Sequence, residues 1–307
     1  MLRYVKTLVQ GLCIGSVDVV PGVSGGTIAF ILEIYEELVN SVKSFDMRFI
    51  RLVLSGEIKE AAAYINLEFL LPLVLGIGLA MITIANVILF LLRYYPVFIW
   101  SFFFGLIVAS VVIFFLKIRP LTVSRFLSLL AGGLFIWLII GLSPASTPET
   151  WWFLFLSGAI AACAMILPGI SGAFILVLLG KYQFILEAII VKDILTIIIF
   201  SAGALTGLLA FAKLLSKLFE KYYFLVTAFM GGVVAGSLRK IWPWKETVLT
   251  TVDRHGEVVP VFERNIVPGL SQETIFALFL IITGFIIMLF IDRIGIGSGI
   301  SRQKDCK

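Results

Sequence analysis

Residues 17–30 read VDVVPGVSGGTIAF and residues 164–177 read AMILPGISGAFILV. Each is a Pro-Gly followed by Ser-Gly inside strongly apolar sequence. Proline removes a backbone donor and clashes with the preceding turn, so each motif interrupts a helix. The serine two residues after the glycine is placed to cap the next helix.

The surroundings of the two breaks fix the solvent. Of 307 residues, 60% are hydrophobic and 14% charged, and the mean hydropathy is +1.10. Soluble domains run near 45–50% apolar and about 25% charged, so the chain belongs in a bilayer. There the backbone must satisfy itself, which leaves helices or a closed barrel. The apolar runs extend over about 20 residues rather than alternating over about 10, which selects helices. Spans are expected at 68–92, 96–116, 124–142, 194–217, 222–238 and 274–291. The segments beside the breaks, 4–20 with 27–42 and 151–167 with 172–187, are shorter. Each pair forms a helix–break–helix hairpin that re-enters, or two tilted crossings.

The repetition extends beyond the breaks. At an offset of 147, Gly11 falls on Gly158, Pro21 on Pro168, Ser24 on Ser171 and Tyr35 on Tyr182; at 127, Gly76 meets Gly203, Tyr95 meets Tyr222 and Gly105 meets Gly232. The offset shifts because the first half carries an extra polar stretch around 43–66. The expected organisation is a first unit, 1–147 (hairpin 4–42 and three spans), and a second, 148–292 (hairpin 151–187 and three spans), with a tail at 293–307. An odd number of crossings per unit inverts the second unit relative to the first. The expected fold class is therefore all-α: a polytopic membrane protein of two inverted repeats, an arrangement that places sites at the repeat interface near the midplane. With the N-terminus cytoplasmic and both hairpins re-entrant, 16 of the 24 Lys and Arg residues face inward, in line with the positive-inside rule. Both termini are then cytoplasmic.

The loop 239–272 lies outside, and its alternating TVLTTVDRHGEVVPVFE reads as a small β-hairpin turning at Arg254-His255-Gly256. His255 is the sole histidine and reads as a turn residue. The cysteines Cys13, Cys163 and Cys306 have no metal-type spacing, and no acidic or histidine cluster has ligand spacing, so no metal or cofactor is expected. No basic run points to nucleic acid.

Chemically, a half-helix whose N-terminus lies inside the membrane offers unpaired amides, a dipole and glycines that let an anion approach. Ser24, Thr27 and Ser171 add hydroxyls, and in an inverted pair the two N-termini face one anion. The plain alternative is close helix packing, since GxxxG spacing also recurs at Gly11/Gly15, Gly203/Gly207 and Gly232/Gly236. Asp18, three residues before Pro21, is an intramembrane carboxylate; Met165 stands at its repeat position. It reads as an ion-coupling group for protons or sodium, or as a local cap. Glu33, Arg93 and Lys181 are accessory charges, and snorkelling to the interface explains the last two equally well.

VDVVPGVSGGTIAFILEIYEEL and MILPGISGAFILVLLGKY resemble the paired signatures of the PopT-type polyprenyl-phosphate transporter family, over nearly the whole chain. The resemblance implies a bacterial inner-membrane protein that returns undecaprenyl phosphate to the cytoplasmic leaflet for envelope glycan synthesis. It places the site at Asp18, Pro21, Gly22, Ser24, Gly25, Gly26 and Thr27, with Pro168, Gly169, Ser171 and Gly172. Ala173-Phe174 departs from the family pattern, which often continues with a small hydroxyl residue. The competing readings are an ion-coupled carrier or channel for a small soluble anion, and a lipid phosphatase, for which His255 has no matching constellation. The reading is of a carrier rather than an enzyme, with the bilayer and a polyprenyl-phosphate lipid as partners.

Overall fold

The computed structural model describes residues 2–18, 24–142, 144–145, 147–252 and 258–296. It is helical apart from one two-stranded sheet. The first break is followed by two short helices rather than one: α1 (Leu2–Asp18), α2 (Gly25–Ile31) and α3 (Tyr35–Lys43). The polar stretch forms α4 (Met47–Leu54) and α5 (Ile58–Tyr64). Then come α6 (Leu67–Thr83), α7 (Ala85–Tyr94), α8 (Pro96–Lys117) and α9 (Val123–Ile140). The second half gives α10 (Trp151–Ile166), α11 (Gly172–Leu178), α12 (Tyr182–Ile190), α13 (Ile194–Ile241), β1 (Lys245–Val252), β2 (Val258–Asn265) and α14 (Gln272–Ile296). β1 and β2 pair antiparallel, as the alternation predicts; the expected turn with His255 lies outside the described residues.

Among the described residues, α8, α9, α13 and α14 are each long and apolar enough to cross a membrane. The bent pairs α5–α6 (69°) and α11–α12 (105°) raise the number to as many as six. Much of their apolar surface is outward: Leu127, Leu130, Leu134, Trp137 and Leu138 of α9 are all exposed, as lipid-facing positions must be. The chain is an all-α polytopic membrane protein.

Two expectations need correction. The segments 27–42 and 172–187 are not single half-helices: each bends again, at Glu33 (φ 60°) and at Gly180 (φ 63°). Glycine takes that conformation at no steric cost, while Glu33 takes it where the Glu33 and Ile34 amides close α2 on the Phe30 and Ala29 carbonyls (3.1 and 3.0 Å), its side chain paired with Lys117. The span 68–92 is divided at Ile84, which joins α6 to α7. The spans 194–217 and 222–238 are present as expected, the two segments of α13 divided by a non-helical kink at Tyr222 (φ −134°, ψ 39°). Tyr95, its partner at offset 127, has nearly the same backbone (φ −134°, ψ 49°) between α7 and α8.

Small residues set the crossings. Gly11 of α1 lies against the Leu73 carbonyl, and Gly76 of α6 against that of Leu8; Gly158 and Gly203 do the same for α10 and α13. In the second pair of crossings Gly105 of α8 meets α14, where Gly284 meets Phe102, and Gly132 of α9 meets α13, where Gly232 meets Leu129. A Cβ at any of these positions would overlap backbone, the close approach that drives helix association in lipid. The last helix of each half therefore packs on the other half: α9 on the C-terminal part of α13, and α14 on α8. Between them the core gathers Ile28, Phe30, Ile31, Leu73, Ile107, Phe114, Met230 and Met288, with Phe30 stacked on Phe114 at 4.3 Å between centroids.

Candidate functional site at the two helix breaks

Pro21 and Gly22 lie outside the described residues; the structure takes up the first break again at Ser24. Ser24 is extended (φ −116°, ψ 128°) and its hydroxyl caps α2 by accepting from the Gly26 amide at 3.2 Å. The capping predicted from the motif is present here. Ser171, its counterpart before α11, has the same extended backbone but caps nothing with its side chain. The matched serines are thus not equivalent.

The two breaks meet. Ser24 Oγ donates to the Leu167 carbonyl (3.3 Å), Thr27 Oγ1 accepts from the Gly169 amide (3.0 Å), and Tyr35 Oη donates to the Ile166 carbonyl (3.0 Å). Ile166 and Leu167 end α10, where carbonyls have no helical donor, and the first hairpin supplies those donors. Gly26 lies so close to the Ile166 carbonyl that a Cβ would come within 2.8 Å of it. Thr27 is fully buried and Gly169, at φ 84°, is buried beside Val233 and Val234. Tyr35, the residue the repeat pairs with Tyr182, went unrecognised as a contact between the breaks; its only sequence signal was that pairing.

The amides at the start of α2 are filled from within the chain. Gly25 N donates to Asp18 Oδ1 at 2.6 Å, Gly26 N to Ser24 Oγ, and Thr27 N to the Ser24 carbonyl at 3.0 Å. Asp18 therefore stands where an anion is expected to bind, at the positive end of the helix. In the second copy Met165 replaces it. Among the described residues, no acceptor pairs with the amides of Gly172, Ala173 or Phe174. Beside them is a crevice of only about 10 Å³, room for about one water, lined by Gly169, Ser171, Phe174, Ser237 and Lys240, with Ile136 and Ile140 of α9 as its apolar wall, so a larger anion enters only if α9 or α13 shifts. The Lys240 ammonium lies 5.5 Å from the Phe174 ring centre. Sequence reasoning missed Lys240 because it sits 69 residues beyond Ser171, at the far end of α13.

The accessory charges are apart from this contact. Glu33 Oε1 pairs with Lys117 Nζ at 3.2 Å, and that ammonium lies 5.4 Å from the Phe30 ring centre. Lys181 is buried (1% exposed), donates to the Thr147 carbonyl at 2.9 Å and sits between Phe153 and Phe184. It ties the 144–147 segment to the α11–α12 bend. Arg93 is exposed in the last turn of α7.

The model of the VCA0040-like family, described as undecaprenyl phosphate translocase-like, matches residues 14–259, a stretch that contains both breaks and every side chain that joins them. The chain belongs to that family. It is also 42% identical over 267 residues to a polyprenyl-phosphate transporter of Vibrio cholerae, covering 87% of each chain. A polyprenyl-phosphate transporter of Staphylococcus aureus is 29% identical over 257 residues, covering 77% of this chain and 85% of its own. No solved structure matches the chain.

Proposed function

We propose that this protein carries a polyprenyl phosphate across the bacterial cytoplasmic membrane, from the outer to the cytoplasmic leaflet, by alternating access between two inverted repeats. The observation that carries the reading is the asymmetry at the joined breaks. One helix start is occupied by the chain's own carboxylate. The other faces a pocket with Ser171, Ser237 and Lys240. A phosphate monoester needs several donors and a cation; the α11 amides, the Ser171 hydroxyl and Lys240 are of that class, while the Ser237 hydroxyl already donates to the Val234 carbonyl at 2.8 Å. The names of the relatives point the same way.

The pocket's apolar wall of Ile136, Ile140 and Phe174 favours a lipid over a soluble anion, since an isoprenoid tail can leave sideways along α9. The reaction is movement of an intact lipid, with no bond cleaved. Both termini lie in the cytoplasm, and the units are 1–147 and 148–292.

Asp18 is the coupling group in this reading. A carboxylate and a phosphate at the joined breaks repel each other, so protonation of Asp18 relieves that repulsion as the phosphate arrives. Neutralised, Asp18 holds Gly25 N more weakly, and that one amide becomes a further donor at the start of α2, while the Gly26 and Thr27 amides stay paired with Ser24. The experiment is uptake of a polyprenyl phosphate into proteoliposomes with and without a proton gradient, comparing wild type with Lys240→Gln and Asp18→Asn. Lys240→Gln should raise the half-saturating lipid concentration. Unchanged uptake in both variants sinks the site.

A further inference from the structure

A second lysine-lined pocket lies at the end of α13's first segment, before the Tyr222 kink. Lys213 and Lys217 are four residues apart on one face, and with Lys43 from the end of α3 they line a pocket of about 250 Å³. Like charges at this spacing repel by about 0.2–0.5 kcal/mol on a helix surface, and neither Lys213 nor Lys217 forms an ion pair among the described residues. The two carboxylates in the pocket offset part of this charge, Glu220 against Lys43 and Asp46 against Lys213. Asp46 caps α4 through the amides of Arg48 and Phe49 (2.9 and 3.1 Å) and accepts from Tyr64 Oη at 3.0 Å. Glu220 Oε1 lies 3.5 Å from Lys43 Nζ, which Ser216 Oγ fixes at 2.7 Å while itself donating to Asn40. Lys43 is thereby aimed, and with three lysines against two carboxylates the pocket keeps a net positive charge, with Lys217 in no ion pair among the described residues.

The wall beside the pocket belongs at a membrane surface. Met47, Ile50, Val53 and Leu54 of α4 are exposed, no residue of α4 is buried, and Arg48 and Arg51 alternate with them. A short helix of this composition lies in the headgroup plane with its apolar face in the acyl region. Lysine ammoniums next to such a face suit a ligand with an anionic head and an apolar tail. The repeat sharpens the point. At the same offsets, Lys213, Lys217 and Lys43 become Asn86, Phe90 and Ile190, so the pseudo-equivalent opposite end has no such pocket.

We infer that the Lys43–Lys213–Lys217 pocket binds a phosphomonoester headgroup at the membrane surface, as the site where the carried lipid is received after crossing. The direction rests on the transport reading; the binding chemistry does not. With the pocket on the cytoplasmic side and the Lys240 pocket toward the outside, the phosphate would pass from one lysine-lined site to another through the joined breaks.

The test uses the full chain in phosphatidylcholine nanodiscs and a farnesyl phosphate bearing a diazirine on its first isoprene unit. The expected label falls on residues 43–46 or 213–220. Loss of two charge-assisted contacts in Lys213→Gln/Lys217→Gln should weaken it by about tenfold or more, while Lys213→Arg/Lys217→Arg retains it and both unfold at the wild-type temperature. Unlabelled farnesyl phosphate should compete, and inorganic phosphate or phosphatidylglycerol at the same concentration should not. Equal competition by inorganic phosphate assigns the pocket to free phosphate and overturns the lipid source. Equal competition by phosphatidylglycerol, or label absent from both segments, overturns the proposal. Pocket labelling without transport sinks the transport reading alone; transport without pocket labelling sinks this site alone.

Discussion

Replacing Thr27 by valine is the most direct perturbation of the joined breaks. Valine keeps the shape of a side chain that is fully buried but removes the oxygen that accepts from Gly169 N at 3.0 Å. The amide is buried and has no other described acceptor, so it is left unpaired. A buried donor stranded in this way costs about 1–3 kcal/mol. If that cost falls on the closed state of the contact, exchange of the Gly169 amide should quicken about 5- to 150-fold. Hydrogen-exchange mass spectrometry on peptides spanning 166–170 reads this directly in nanodiscs. Thr27→Ser keeps the oxygen and gives up only a methyl group, so it should lose some stability but keep the protection. Tyr35→Phe removes the donor to the Ile166 carbonyl and should cost about 0.5–1.5 kcal/mol. The two sites share one contact, so the double variant should depart from additivity. Gly169 exchanging at the wild-type rate in Thr27→Val would refute the pairing on which the site rests.

Asp18→Asn keeps an acceptor for Gly25 N and removes the titrating charge; uptake should persist but lose its dependence on the proton gradient, and an unchanged gradient dependence eliminates Asp18 as the coupling group. Gly232→Ala places a methyl group against the Leu129 backbone, and the forced shift of α9 should cost about 1–3 kcal/mol, read as a lower unfolding midpoint; a wild-type midpoint means that crossing is loose. Asp193, which precedes α13, is held below the usual carboxylate range by hydrogen bonds from Thr196, whose hydroxyl donates at 2.7 Å. Its capping contribution is therefore full above the ordinary carboxylate pKa and is lost as pH falls through the depressed one. The Thr196 amide should lose protection in acid in the wild type, whereas Asp193→Asn, which caps without titrating, should show no such step.

Much of this architecture is legible in the residues. Spans at 96–116 and 124–142 fall within two residues of α8 and α9 at either end, and 274–291 within two and five of α14, because a run of about 20 apolar residues has few other options. Matched positions such as Tyr95 and Tyr222 carry matched kinks. The bend at Glu33 is not legible, since nothing local favours a left-handed glutamate and its ion-pair partner is 84 residues away on α8. Gly180 offered a local signal for the equivalent bend. GxxxG spacing announced close helix crossings without naming partners, so the packing of α9 on α13 and of α14 on α8 had to come from the structure. At the site, the motif specified that Ser24 caps its helix. It could not specify that Thr27 reaches Gly169 or that Lys240 closes a pocket beside Ser171, because both contacts depend on how distant helices pack. Asp18 is the instructive case: its intramembrane charge is visible in sequence, while its seat on the Gly25 amide at the start of α2 comes only from the structure.

Leaflet-resolved uptake is the measurement closest to the central claim. Proteoliposomes are loaded with a labelled polyprenyl phosphate in the outer leaflet, and its arrival in the inner leaflet is followed after a membrane-impermeant quencher is added. The account predicts protein-dependent movement that a proton gradient accelerates and that Lys240→Gln slows. Movement no faster than in protein-free vesicles, under any gradient, would contradict it.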